Sequence, residues 1–209
     1  MVTDKIAAIA ANFLLEGTLV DAITIVQGHI NDTYRLICET ESGKQEYTLQ
    51  AINKYVFKNP ELVMENICAV TEFLRKKIEA AGGNTERETL TVIATKDGKN
   101  FFIDENGEYW RVYNYIDGAS SYDCVQNAQH LYNAGYAFGR FQNQLADFPI
   151  ETLHDTIPNF HNTKKRLQDF FAAVERNESG RAAECTAEIA FFRARENDAA
   201  FLLNLQESG

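Results

Sequence analysis

Hydrophobic positions change their period along the chain, and each change marks a different kind of element. Near the start, Ile6, Ile9, Ala10, Phe13 and Leu14 share one face at helical spacing, with Gly17 standing where a C-cap would fall. The stretch IAAIAANFLL could mimic a short signal peptide, but its one-sided pattern predicts an amphipathic helix. Strand signals follow at about 20–26, 33–40 and 45–52, with ESGK turning the second into the third. A longer helical stripe comes next, through Val63, Ile67, Val70, Leu74 and Ile78. Asn59 and Pro60 supply its N-cap and first position, and Gly82-Gly83 ends it. Strands return as TLTVIAT, NFFID and EYWRVYNYI, separated by the hairpin turns KDGK and ENGE. In the last of these, Trp110, Val112, Asn114 and Ile116 face one side and Arg111, Tyr113 and Tyr115 the other.

The pattern shifts after Ile116. DGASSYD is small, polar and turn-prone, and everything beyond it is helical. Val125, Ala128, Leu131, Phe138, Phe141 and Leu145 mark one long helix, and three more are predicted at about 163–177, 181–197 and from 198 onward. The expected fold class is therefore α+β, with an antiparallel sheet of five to six strands and a crossing helix, followed by a helical lobe. The expected division is residues 1–116, a hinge at 117–123, and 124–209.

Composition narrows the possible partners. The 209 residues carry a formal net charge of −10, which argues against nucleic acid or an anionic membrane as partner. It does not argue against phosphate, because backbone N–H groups can bind phosphate without Lys or Arg. The cysteines at 38, 68, 124 and 185 are far apart, with no C-x-x-C, so neither a disulfide framework nor a zinc site is expected. A reducing cytoplasm fits this usage. No apolar run reaches the ~18 residues of a membrane span.

The turn GHIND carries more chemistry than a hairpin needs. Gly28 permits positive φ and close approach of a ligand, and successive N–H groups in such a turn can form an anion nest. Asn31 and Thr33 add short donors, and His29 a group that titrates near neutrality. Taken alone, these residues equally describe a polar hairpin tip in which Asn31 and Asp32 bond to their own backbone.

The segments GHINDTY, YTLQAIN, VFKNPELVMENI, WRVYNYI, AFGRFQNQLADF, ETLHDTIPNFHNT and GRAAECTAEIAFF span nearly all of the chain. Together they resemble the N-acetylhexosamine 1-kinases of the aminoglycoside phosphotransferase and choline kinase superfamily. The resemblance implies a protein-kinase-like N-lobe with an incomplete helical C-lobe. ATP and Mg²⁺ would be the cofactors and a small sugar the substrate. It places His29 at the sugar, and Gly28, Asn31, Asp32 and Thr33 around the nucleotide phosphates. Backbone groups at Asn114, Tyr115 and Ile116 would meet the adenine edge, and Gln50 stands where many kinase-like enzymes have lysine. Glutamine brings donors but no charge, so the usual Lys–Glu pair is in question. Glu65 is the nearest partner, and its helical phase suits the surface equally well.

The catalytic loop H-x-D-x-x-x-x-N is absent. Two residues after His29, His130, His154 and His161 stand Asn31, Tyr132, Thr156 and Thr163. No catalytic residue or metal ligand is therefore assigned within these residues. The chain reads as the N-terminal part of a kinase, inactive by itself, with its Mg²⁺ ligands elsewhere and with self-association through the helical lobe. Two alternatives are a kinase of another small alcohol (choline, homoserine or an aminoglycoside) and a non-catalytic nucleotide- or sugar-binding module.

Overall fold

The computed structural model describes residues 3–26, 28 and 30–208. It is an α+β structure with one six-stranded antiparallel sheet and seven α-helices among the described residues. Two compact units divide at Thr156/Ile157. The expected boundary at 117–123 separates mixed from helical sequence, whereas this division follows packing.

In the first unit, helix α1 (Asp4–Ala10) precedes β1 (Thr18–Ile25), β2 (Asp32–Thr40) and β3 (Gly43–Ala51). Helix α2 (Pro60–Ala80) and the short α3 (Thr85–Glu88) follow, then β4 (Val92–Ile93), β5 (Phe102–Ile103), β6 (Tyr109–Asn114) and α4 (Ala128–Gln144). The strand order is β1-β2-β3-β6-β4, with β5 also on β6. The consecutive hairpins β1–β2 and β2–β3 explain half of this order. The return of β6 beside β3 is a long-range choice that no local turn dictates.

Alternation gives the sheet two distinct faces. One carries Tyr34, Leu36, Cys38, Tyr47, Leu49, Trp110 and Val112, which meet Ile6, Ile9, Ala10 and Phe13 of the N-terminal segment in a single core. Leu36, Leu49 and Val112 are fully buried, each contributing about 1.5–3 kcal/mol by leaving water. The other face carries Thr33, Gln50 and Arg111 in register, and lies toward Met64 of α2.

Helix α1 is shorter than its apolar pattern predicts. It stops at Ala10, and the Asn12 amide closes it by donating to the Ala8 carbonyl at 2.8 Å. The chain then runs extended, with Leu14 N–H donating to Ala94 and Phe13 bridging Thr95. Gly17 is thus no C-cap. It sits at φ +84° against β2, where an added Cβ would overlap the Glu39 carbonyl oxygen.

Helix α2 begins at Pro60 as expected, although the Asn59 side chain makes no capping bond. Val63, Leu74 and Ile78 are buried, and so is Met64, which the predicted stripe leaves out. The later meander holds less strand than its pattern suggests, because β4 and β5 have two residues each. Side chains take up the backbone groups beside them. Thr95 Oγ1 receives Lys99 N–H at 2.9 Å, and Asp104 receives the N–H groups of Asn106 and Glu108, each at 2.9 Å.

Helix α4 is tied to α2 at its C-terminal end. Lys77 Nζ donates to the Gln144 carbonyl at 2.8 Å and pairs with Asp147, and Phe73 packs edge-on to Phe148 at 5.1 Å. Otherwise α4 leaves Leu131, Tyr132, Tyr136, Phe138 and Phe141 exposed.

The second unit contains α5 (Thr163–Arg176), α6 (Thr186–Arg193) and α7 (Phe201–Glu207). The helix predicted over 181–197 is broken, with a 3-10 turn at Ala182–Cys185 before α6. None of the three helices holds a buried residue. Phe170, Phe191 and Phe192 form their ring cluster at centroid distances of 5.0 and 5.5 Å.

Candidate functional site

Strand register assembles the site. Thr33 of β2 pairs with Gln50 of β3, and Gln50 pairs with Arg111 of β6, so three polar side chains cross the sheet in one row. All three belong to the face away from the apolar core. The Gln50 amide oxygen accepts from Arg111 Nε at 3.1 Å and Nη2 at 2.8 Å, while its nitrogen donates to Thr33 Oγ1 at 3.0 Å. Arginine has no acceptor, so this contact fixes the orientation of the amide. Thr33 Oγ1 in turn donates to the Asn31 carbonyl at 3.3 Å.

The chain leading into β2 is braced from below. The Asn31 side-chain oxygen accepts Asn53 N–H at 3.0 Å, and the Asn53 amide donates to the Ile30 carbonyl at 2.8 Å. Gly28 has φ +105°, and a Cβ added to it would meet nothing within 4 Å. Its glycine identity answers to backbone conformation and leaves open space around it. Asp32 is exposed at the first position of β2. His29 lies outside the described residues.

The end of β6 is less free than a bare hinge. Asn114 N–H donates to the Thr91 carbonyl at 3.0 Å, and Tyr115 N–H to the Glu46 carbonyl at 3.2 Å. The Asn114 side chain is buried, accepting Thr91 N–H at 2.7 Å and donating to the Glu86 carbonyl at 2.8 Å. Ile116 is half-buried, and its N–H has no protein partner among the described residues.

Charge is unevenly distributed over this face. Arg35 forms a two-point pair with Glu46 at 2.6 and 2.7 Å and lies 4.5 Å from the centre of the Tyr115 ring. Glu65 pairs with His154 at 2.7 Å on the surface, and Glu61 accepts from the Tyr109 hydroxyl at 3.1 Å. Arg111 is different. Burial lowers its pKa, and the opposing influence is the Tyr113 phenol rather than any carboxylate. Burial likewise raises the Tyr113 phenol, partly offset by Arg111. This partly buried guanidinium lies 5.8 Å from the Tyr113 ring centre and has no carboxylate partner among the described residues.

Of the residues singled out from sequence, Asn31, Thr33 and Gln50 are brought into one network, with Gly28 near its start. Asn114, Tyr115 and Ile116 lie at the end of β6, a strand that also carries Arg111. Arg111 and Asn53, to which the sequence motifs assign no role, join them through hydrogen bonds to Gln50 and Asn31. Alternation in WRVYNYI does place Arg111 on the non-core face, but its register with Gln50 is not written there. No group of three or more His, Cys, Asp or Glu side chains able to hold a metal ion occurs among the described residues. No helix among them is long and apolar enough to cross a membrane. No protein-family model matches the chain.

Proposed function

We propose that this chain is the nucleotide-covering part of an ATP-dependent small-molecule kinase, whose acceptor is the anomeric hydroxyl of an N-acetylhexosamine such as N-acetylglucosamine or N-acetylgalactosamine. The observation that carries this reading is the row Thr33–Gln50–Arg111. It joins the strand following the glycine turn to the strand leading into 117–123, and it puts donors and a positive charge on one face. The kinase-like motifs in the sequence supply the class of reaction. An antiparallel sheet with a crossing helix on its polar face is compatible with the N-lobe of that fold.

In this reading ATP lies beneath the turn at 26–31, with its phosphates toward Thr33 and Gln50. Gly28 lets the turn close over them, and His29 reaches the sugar. With two N–H groups of the hinge already donated within the sheet, the adenine edge meets Ile116 and the carbonyl groups beside it. Phosphoryl transfer also needs a residue that orients the attacking hydroxyl and carboxylates that hold Mg²⁺. No H-x-D-x-x-x-x-N sequence is present to provide them. The 209 residues therefore bind without turnover. Calorimetric titration with ATP, followed by mass spectrometry of an ATP, Mg²⁺ and N-acetylhexosamine mixture, tests both halves. Binding without sugar 1-phosphate is expected. No ATP binding sinks the kinase reading, and clear product sinks the expectation of binding without turnover.

One observation favours a second acceptor class. A net charge of −10 suits a cationic alcohol such as choline or an aminoglycoside, so these belong in the same titration. The exposed apolar side chains of α4 support self-association, and a concentration-dependent mass in sedimentation is the expected result.

A further inference from the structure

Lysine is the expected cation at position 50, and this chain has glutamine there. The structure offers a replacement one strand away. Arg111 stands directly beside Gln50 in the β3–β6 register, half-buried on the polar face of the sheet. Two of its N–H groups meet the Gln50 oxygen, and Nη1 rests 4.0 Å from Met64 Sδ. Its guanidinium also lies 5.8 Å from the centre of the Tyr113 ring, and no carboxylate pairs with it among the described residues.

Three acids of the neighbouring strand and helix are engaged elsewhere: Glu46 with Arg35, Glu61 with Tyr109, and Glu65 with His154. Even a partly buried guanidinium without a carboxylate carries a desolvation cost that an anion offsets. The apolar alternative was available, since Met64 already lines the position from α2. The Gln50 amide is held with its oxygen on Arg111, so its nitrogen faces the opposite way, toward Thr33 and the end of the glycine turn. One of the two hydrogens on that nitrogen is committed to Thr33, which leaves the second to donate.

We propose that Arg111 and Gln50 together form a phosphate-chain site. Arg111 supplies the positive charge that position 50 lacks and fixes the Gln50 amide so that its nitrogen donates to the bound anion. Thr33 holds the amide from the other side. This inference deepens the kinase reading, but it needs only the anion.

Two substitutions test it in the full chain, by calorimetry with sodium tripolyphosphate, adenosine and ATP as separate ligands. Gln50→Glu keeps an oxygen acceptor for both Arg111 contacts and pairs the guanidinium internally, so the protein should fold with an unchanged or raised melting temperature. It also cancels the charge and removes the amide donor. Arg111→Gln removes the charge and leaves a neutral partner for Gln50. Tripolyphosphate should bind the parent, and each variant should weaken it at least about tenfold, as expected for charge-assisted hydrogen bonds. Adenosine affinity should be unchanged in both.

A folded Gln50→Glu protein that binds tripolyphosphate as well as the parent overturns the inference, as does a parent that binds none. If ATP binds both variants undiminished, the anion site falls and the kinase reading survives. If tripolyphosphate binding is lost in the variants but adenosine never binds the parent, the site stands and the kinase reading falls.

Discussion

Asn114 is the residue through which the end of β6 holds the segment at 84–91, and its removal should be costly for a definable reason. The side chain is buried and bonds two backbone groups at once, accepting Thr91 N–H at 2.7 Å and donating to the Glu86 carbonyl at 2.8 Å. No helix or strand ladder offers either group another partner. Asn114→Ala removes both partners; a buried unsatisfied group costs about 1–3 kcal/mol, and the exposed Glu86 carbonyl, which water can reach, costs less than the Thr91 N–H. With Thr91 half-buried and Glu86 exposed, the sum is about 1–3 kcal/mol, or on the order of 3–10 °C in melting temperature.

Asn114→Asp separates the two bonds. It keeps the acceptor for Thr91 but sets a second oxygen against the Glu86 carbonyl. Burial and that carbonyl raise the carboxyl pKa in the folded state above its unfolded value. Stability is then highest below the unfolded pKa of ~3.9 and is lost as pH rises through the folded value. The assay is urea unfolding followed by fluorescence of Trp110, the sole tryptophan, which is buried in the first unit. Asn114→Ala within 0.5 kcal/mol of the parent, or an Asn114→Asp protein equally stable at pH 4 and pH 8, would refute the reasoning (a surface substitution typically falls within about 0.5 kcal/mol).

Other outcomes follow from single residues. Gly17→Ala should destabilise by about 2–4 kcal/mol, because φ is +84° and the new Cβ meets the Glu39 carbonyl and Thr40 Cγ2, whereas Gly28→Ala should cost only the ~1–2 kcal/mol of its backbone conformation. Comparing the two melts checks this, and equal losses would count against it. Burial alone would raise the Asp104 carboxyl, but Glu108 and Asn106 N–H, the Trp110 indole N–H and Lys5 bring it below its ordinary value of 3.8. Its contribution is therefore present above pH 3.8 and lost as pH falls through the lower folded value. Asp104→Asn should cost about 1–3 kcal/mol at neutral pH and progressively less in acid melts. Thiol labelling under native conditions should modify exposed Cys124 first and leave Cys38, which is fully buried with a pKa raised by burial, unreactive until urea is added.

Local chemistry is what the amino-acid sequence determined. Strand signals located β1, β2 and β3, alternation in WRVYNYI located β6, and Asn59-Pro60 set the start of α2. These depend on neighbours a few residues away, which the chain itself displays. Its limits were at places where distant groups intervene. Asn12 and Ala94 ended α1 before its apolar stripe ran out, and side chains of Thr95 and Asp104 claimed backbone groups that β4 and β5 could have paired. Gly17 read as a helix cap and proved to be a close approach to β2. Arg111 shows the division best. Its strand and its face were legible in WRVYNYI, yet its partner was not, because register between strands 61 residues apart is set by the whole sheet. Only the folded sheet puts that charge beside Gln50, because the β3–β6 register is decided by the packing of all the strands together.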